Sequence, residues 1–223
     1  MRALPGRDTI SERTEILPYE DALKLIKDRE FHAVGYCPCR IIEKLQGRGC
    51  RHSIENCLHF GSLARYMVEN GYARRISVNE TISILKKANQ EGLVHMTERS
   101  QGPISTICNC CKDCCIFFKA VHKAKHLGAI AHSSYVANFD SNKCIACGIC
   151  MLRCPMGAIR VKVKRKAAAS IANKCLGCGV CVPTCPMGAI ELVRRYEATE
   201  VPDHRNYIFQ ILHERGKDFS TLL

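Results

Sequence analysis

The chain has 223 residues, 33 Lys+Arg against 21 Asp+Glu for a net charge of +12, and 47% hydrophobic residues. That length holds one or two domains with a real core, and the apolar content excludes wholesale disorder. Seventeen cysteines with no tryptophan narrow the class to a disulfide scaffold or a metal protein.

Residues 1–30 carry Arg2, Arg7, Asp8, Glu12, Arg13, Glu15, Glu20, Asp21, Lys24, Lys27, Asp28, Arg29 and Glu30. They leave no room for the apolar core of about 7–15 residues in a secretory signal. No run approaches the roughly 20 apolar residues of a membrane span. The expected location is the cytoplasm, where thiols stay reduced and act as ligands more often than as disulfides.

Leu17–Asp28 spaces Ala22, Leu23, Leu25 and Ile26 as a helix, with Pro18 suited to its first turn. Phe31–Tyr36 reads as a short strand, and Cys57–Asn70 as a helix closed by Gly71. Ser77–Glu91 is the clearest helix: Ser77 and Glu80 form an S-x-x-E capping box, Ile82, Leu85 and Ala88 give a stripe, and Gly92 is the stop. Leu93–Met96 and Ile104–Cys108 read as two short strands, so helix, helix and hairpin make a winged-helix pattern. Lys112–Leu127 reads as an amphipathic helix, and Tyr135–Phe139 as a strand. Near the end, Pro202–Asp203 opens a helix over His204–Arg215, with Tyr207, Ile208, Ile211 and Leu212 on the face expected to dock on the protein's own body. The expected class is α+β: a mostly helical, winged-helix-like, Cys-rich domain over residues 1–136, a repeat module over 137–192 and a helical extension over 193–223.

The repeat is the strongest feature. Lys143–Ile159 and Lys174–Ile190 are offset by 31 residues and identical at 11 of 17 positions, so two copies of one unit, related by an approximate two-fold axis, are expected. Each copy has the spacing C-x2-C-x2-C-x3-C-P: Cys144, Cys147, Cys150, Cys154 and Pro155, then Cys175, Cys178, Cys181, Cys185 and Pro186. Three thiolates at this spacing wrap a tight loop around three corners of an iron–sulfur cubane, whose charge loop amides can stabilise. Gly148 and Gly179 permit backbone that a side chain would obstruct. Two zinc sites are the alternative reading of C-x2-C pairs; the doubled run, each ending in Cys-Pro, favours iron–sulfur.

On these motifs, roughly Phe139–Leu192 resembles the bacterial-type ferredoxins with two [4Fe-4S] clusters. The resemblance implies a β-hairpin–helix repeat and one-electron transfer at low potential. It also implies crossed ligands: Cys144, Cys147, Cys150 and Cys185 for one cluster, and Cys175, Cys178, Cys181 and Cys154 for the other. The N-terminal region and the basic charge depart from the small ferredoxins. That region, with its CPCR segment in Tyr36–Arg40, GLVH at Gly92–His95 and Cys-rich knot at Cys108–Cys115, is more loosely similar to larger ferredoxin-like proteins of anaerobes.

Nine cysteines lie outside the repeat: Cys37, Cys39, Cys50 and Cys57, then Cys108, Cys110, Cys111, Cys114 and Cys115. C-x-C and CC pairs can each give two thiolates to one metal, so one third site, an iron–sulfur cluster or zinc, is the favoured expectation. Cys37, Cys39, Cys50 and Cys57 lead as its ligands, with the second group as competitor or contributor. Some of these thiols acting as small buried hydrophobes is the plainer alternative, and a reversible disulfide is a third. His122 and His126 have the i, i+4 spacing of paired ligands, but amid Lys119, Lys123 and Lys125 a solvated basic face is the plainer reading. His52, His59 and His95 lie near the cysteines, and each alone reads as an ordinary histidine.

The charge is spread, with one dense stretch at Arg160, Lys162, Lys164, Arg165 and Lys166. This suits docking to an acidic redox partner or an oxidoreductase complex. Nucleic acid is disfavoured, because Val78–Glu91 offers only Lys86 and Lys87 against Glu80 and Glu91. No nucleotide loop, G-x-S-x-G or H-E-x-x-H is present, so the expectation is an electron carrier or an oxidoreductase subunit rather than an enzyme on its own. The alternatives are a redox-sensing winged-helix regulator and a catalytic subunit whose N-terminal cluster binds substrate.

Overall fold

The computed structural model of the chain describes residues 1–14, 21–162, 167–196 and 201–216. The N-terminal elements are β1 (Arg2–Ala3), α1 (Ala22–Lys27), β2 (His32–Tyr36), α2 (Pro38–Leu45), β3 (Glu55–Phe60), α3 (Gly61–Glu69), β4 (Ala73–Ile76), α4 (Val78–Gln90), β5 (Val94–Thr97), β6 (Thr106–Cys110) and α5 (Ile116–His122). The six strands form one sheet in the order β1-β5-β6-β3-β2-β4, with antiparallel pairs throughout. Ile26 of α1 and Leu85 of α4 pack on Val34, Leu58, Phe60 and Ile107 of the sheet. Burying each such side chain contributes roughly 1.5–3 kcal/mol.

Several sequence expectations change here. Cys57–Phe60 is strand, not helix: β3 lies between β2 and β6, and only from Gly61 does the chain turn helical. A continuous apolar run suits either state, and pairing on both edges decides for strand. The hairpin β5–β6 is no freestanding wing, since β1 flanks one side and β3 the other. The helix expected over Lys112–Leu127 shortens to α5, with Cys115 at its N-cap and residues 112–114 in a turn. Helix α2, which carries Cys39 and Arg40, escaped the sequence reading although Pro38 stands at its first position. Of the capping box at α4, one half forms: the Ser77 hydroxyl accepts from the Glu80 amide at 3.1 Å. The Glu80 carboxylate turns instead to Arg74, at 2.7 Å. At α1 the cap is Asp21, which accepts from the Leu23 and Lys24 amides; Leu17, Pro18 and the rest of 15–20 lie outside the described residues.

The C-terminal part has β7 (Tyr135–Phe139), α6 (Ile149–Arg153), β8 (Ile159–Lys162), β9 (Ala167–Ser170), β10 (Ile190–Arg194) and α7 (His204–Glu214). The strand entering the first repeat pairs with the strand leaving the second, Tyr135 opposite Arg194 through Phe139 opposite Ile190. The strand leaving the first pairs with the strand entering the second, Ile159 opposite Ser170. This exchange is the pairing that two-fold related copies give. On α7, Asp203 caps the start, but none of the described side chains of the helix is buried. Of its apolar stripe, Tyr207, Ile211 and Leu212 are half-buried and Ile208 is exposed.

The two parts share packing. Val94, Met96, Cys110, Cys115 and Phe118 form one core with Leu176 and Val180 of the second repeat. Arg153 of α6 donates to the Asn89 carbonyl at the end of α4, at 2.8 Å. A ring nitrogen of His122 meets the Pro155 carbonyl at 2.9 Å.

Candidate metal centres

Both repeats bend their cysteine loops through left-handed backbone at equivalent positions: Ala146 and Gly177 at φ 55° and 68°, then Gly148 and Gly179 at 82° and 76°. The curl brings Cys144, Cys147 and Cys150 around a recess, and the fourth thiol on its wall is Cys185 of the other repeat. Reciprocally, Cys154 acts with Cys175 on the thiols of Cys178 and Cys181. The structure thus brings together both crossed sets that the resemblance implies. Backbone amides point at sulfur in matching places: Ala158 N–H to Cys154 Sγ at 3.3 Å, and Ala189 N–H to Cys185 Sγ at 3.2 Å. Such donors favour the charged form of a thiol.

Burial pushes the Cys178 thiol up to about 12, with the Cys175 and Cys154 sulfurs adding to the rise. Cys181 rises for the same reason. Thiols crowded in an apolar pocket resist ionising alone; a metal cation removes that penalty and takes the thiolates. Apolar walls, four converging thiols, amide donors and a loop curled clear of side chains fit an iron–sulfur cubane.

The repeats differ in what covers them. Ile145 and Ile149 are 55% and 44% exposed, whereas their equivalents Leu176 and Val180 are each 2% exposed. Cys147 is exposed too, and Leu152 stands at 81%. The first repeat presents an apolar rim to solvent; the second is sealed by the N-terminal region.

The nine remaining cysteines gather in space. Cys37 and Cys39 open α2, Cys57 sits on β3, Cys108 and Cys110 on β6, and Cys111, Cys114 and Cys115 in the turn into α5. These eight line one cavity. Cys50 lies beside it, its Sγ 3.6 Å from that of Cys111. The set Cys37, Cys39, Cys50 and Cys57, nearest in sequence, does not gather as one: the Sγ atoms of Cys50, Cys111 and Cys114 lie within 4.8 Å of one another. Elsewhere, Cys37 hydrogen-bonds Cys39, and a chain of thiol contacts runs Cys57–Cys108–Cys110–Cys115. These contacts split the pKa values. Hydrogen bonds from their neighbours lower Cys39, Cys108 and Cys115, while the donors Cys37, Cys57 and Cys110 rise.

Arg40, missed in the sequence, is 3% exposed. It donates to Ser53 O at 2.9 Å, Asn56 Oδ1 at 2.6 Å and Asn109 O at 2.7 Å, and its charge bears on Cys111, Cys37 and Cys50. The histidines have other work. His52 meets Glu91 at 3.1 Å and His95 meets Asn109 at 2.6 Å. His59 is buried beside Thr106. Helix α5 ends at His122, so His126 is not one helical turn beyond it.

Residues 137–192 match the family described as 4Fe-4S dicluster domain. A 69-residue stretch is 35% identical to a subunit of the ion-translocating oxidoreductase complex of Methanosarcina acetivorans, covering 31% of this chain and 26% of that protein. The chain therefore spans about a quarter of that relative's length. No solved structure matches the chain. The match and the similarity support a 4Fe-4S ferredoxin-like domain over residues 137–192.

Proposed function

We propose that the chain passes single low-potential electrons to or from an oxidoreductase partner, as a carrier or as a subunit of its complex. Two [4Fe-4S] clusters would be held by Cys144, Cys147, Cys150 and Cys185, and by Cys175, Cys178, Cys181 and Cys154. When bound, they supply the one-electron chemistry; the chain sets access, potential and partner choice. The observation that carries this reading is the unequal cover of the two repeats. The apolar rim of Ile145, Ile149 and Leu152 leaves the first site nearest to solvent, which suits electron exchange across a docked interface. Exposed Arg160 and Lys162 lie on β8, the strand that follows this loop, and favour a partner with an acidic rim. Lys164, Arg165 and Lys166 belong to the same stretch of sequence but lie outside the described residues.

The similarity to a subunit of an ion-translocating oxidoreductase complex supports a complex as the partner. No helix among the described residues is long and apolar enough to cross a membrane. A stoichiometric reductive titration of the anaerobic chain tests the reading. Visible absorbance near 400 nm should bleach with about two electrons taken up by residues 137–192, one per cluster. A chain that binds only zinc and takes up no electrons would refute it.

A further inference from the structure

We propose that the nine N-terminal cysteines make two metal sites of different chemistry. One is a mononuclear, zinc-type site on Cys50, Cys111 and Cys114. The other is a polynuclear iron–sulfur site on Cys37, Cys39, Cys57, Cys108, Cys110 and Cys115, set against the second ferredoxin repeat.

Sulfur spacing identifies the first. A tetrahedral zinc with bonds of about 2.3 Å holds its thiolates roughly 3.8 Å apart. Cys50 and Cys111 are 3.6 Å apart at sulfur, and all three Sγ atoms lie within 4.8 Å. That is the spacing of one ion. It is also far beyond the roughly 2.05 Å of a disulfide. Among the described residues the group has three members; His52, two residues beyond Cys50, is turned to Glu91. The fourth position is thus open to water or a small ligand, as in catalytic rather than structural zinc sites.

Charge agrees with this. The Arg40 guanidinium is buried, and its Nε has no hydrogen-bond partner among the described residues. It lies against Cys50 and Cys111. A divalent ion with three thiolates carries one negative charge, which this guanidinium balances.

The other six thiols exceed what one tetrahedral ion takes. They come from α2, β3, β6 and the start of α5, and line one cavity together with Cys111 and Cys114. A sulfide-bridged iron cluster takes four cysteine thiolates, so it draws on four of these six. Cys110 and Cys115 share a core with Leu176 and Val180, with Cys108 and Cys178 at its edge. Cys178 belongs to the second repeat, so the two centres meet through packed side chains. An electron crossing there oxidises one centre by one unit and reduces the other by one, with no proton or bond exchanged. The ferredoxin module, loaded by its partner, supplies that electron. This last step alone rests on the function proposed above.

Metal analysis of the full chain, prepared anaerobically with iron, sulfide and zinc, tests the division. Cys50→Ser with Cys111→Ser should lose about one zinc per chain and keep its iron. Cys57→Ser with Cys110→Ser should lose about four iron, keep zinc and keep the ferredoxin signals. Cys175→Ser with Cys178→Ser should strip ferredoxin iron and leave the N-terminal metals, so failure of the ferredoxin reading shows separately. If the first two double variants lose the same metal, one centre exists and the division is wrong. If neither changes metal content, the thiols are not ligands. Wild-type zinc-edge X-ray absorption needs no variant: three sulfurs and one light atom are expected, and four sulfurs or none overturn the open site.

Discussion

The two ferredoxin repeats carry the same cysteine spacing and opposite surroundings. At equivalent positions, Ile145 and Ile149 face solvent while Leu176 and Val180 are sealed in the core shared with β5, β6 and α5. The same contrast appears in the backbone. Ala146 is tolerated at φ 55°, but a Cβ on its counterpart Gly177 would lie 2.2 Å from Ser133 Oγ and Tyr135 O. Duplication supplies two loops of one cysteine spacing; the N-terminal region covers only the second. One is left open to solvent, and the other becomes an internal contact.

The largest expected effect breaks the sealed side. Gly177→Ala adds left-handed strain to a backbone clash and should destabilise the chain by on the order of 4 kcal/mol in chemical unfolding. Ala146→Gly, the same position in the open repeat, should instead stabilise by up to about 1 kcal/mol. Equal effects of either sign would mean that the repeats are not differently packed. Next, Arg40→Met leaves the acceptors of Ser53, Asn56 and Asn109 unsatisfied. A loss of about 3 kcal/mol is expected, against under 1 kcal/mol for exposed Arg160→Met in the open module.

On the open side, Ile145→Ser with Ile149→Ser should slow electron delivery to the partner about tenfold, equivalent to 1.4 kcal/mol of docking energy. The folding midpoint should stay within error. Neutralising Lys162, Lys164, Arg165 and Lys166 should slow association by a smaller factor, and the defect should shrink as salt rises past about 0.1 M. A partner rate that climbs with salt in the wild type would remove the acidic partner. The mildest effect is pH. Burial holds His59 and His95 below the ordinary imidazole value, so the unfolded chain binds protons that the folded chain refuses. Stability should be intact above about pH 6.5 and fall as the pH drops from there through the lowered values. His59→Gln with His95→Gln should flatten that slope.

Spacing alone made the eight ferredoxin cysteines legible, because a fixed run of covalent neighbours builds most of each loop. Ser77, Asp203 and the strand Tyr135–Phe139 were legible for the same local reason. Where the chemistry depends on pairing between distant elements, the sequence was mute. Cys57 looked helical because only β2 and β6 on either side make it strand. Cys110 and Cys111 are adjacent, as are Cys114 and Cys115, yet each pair divides between two thiol groups. Neighbouring residues at the end of a strand, such as Cys110 and Cys111, point to opposite sides, so proximity in sequence does not set which thiols meet in space. Arg40 was overlooked because nothing local says that a charge will be buried.

The crossed thiols give the most direct test, by comparing Cys185→Ser with Cys154→Ser in electron paramagnetic resonance of the reduced full chain, followed by delivery of its electrons to the partner. Cys185→Ser should lose the centre of Cys144, Cys147 and Cys150 and with it most of the delivery. Cys154→Ser should lose the centre of Cys175, Cys178 and Cys181 and deliver from the surviving exposed one. If each variant damages only the centre of its own repeat, or if delivery fails only in Cys154→Ser, then the thiols do not cross or the exposed repeat is not the exit.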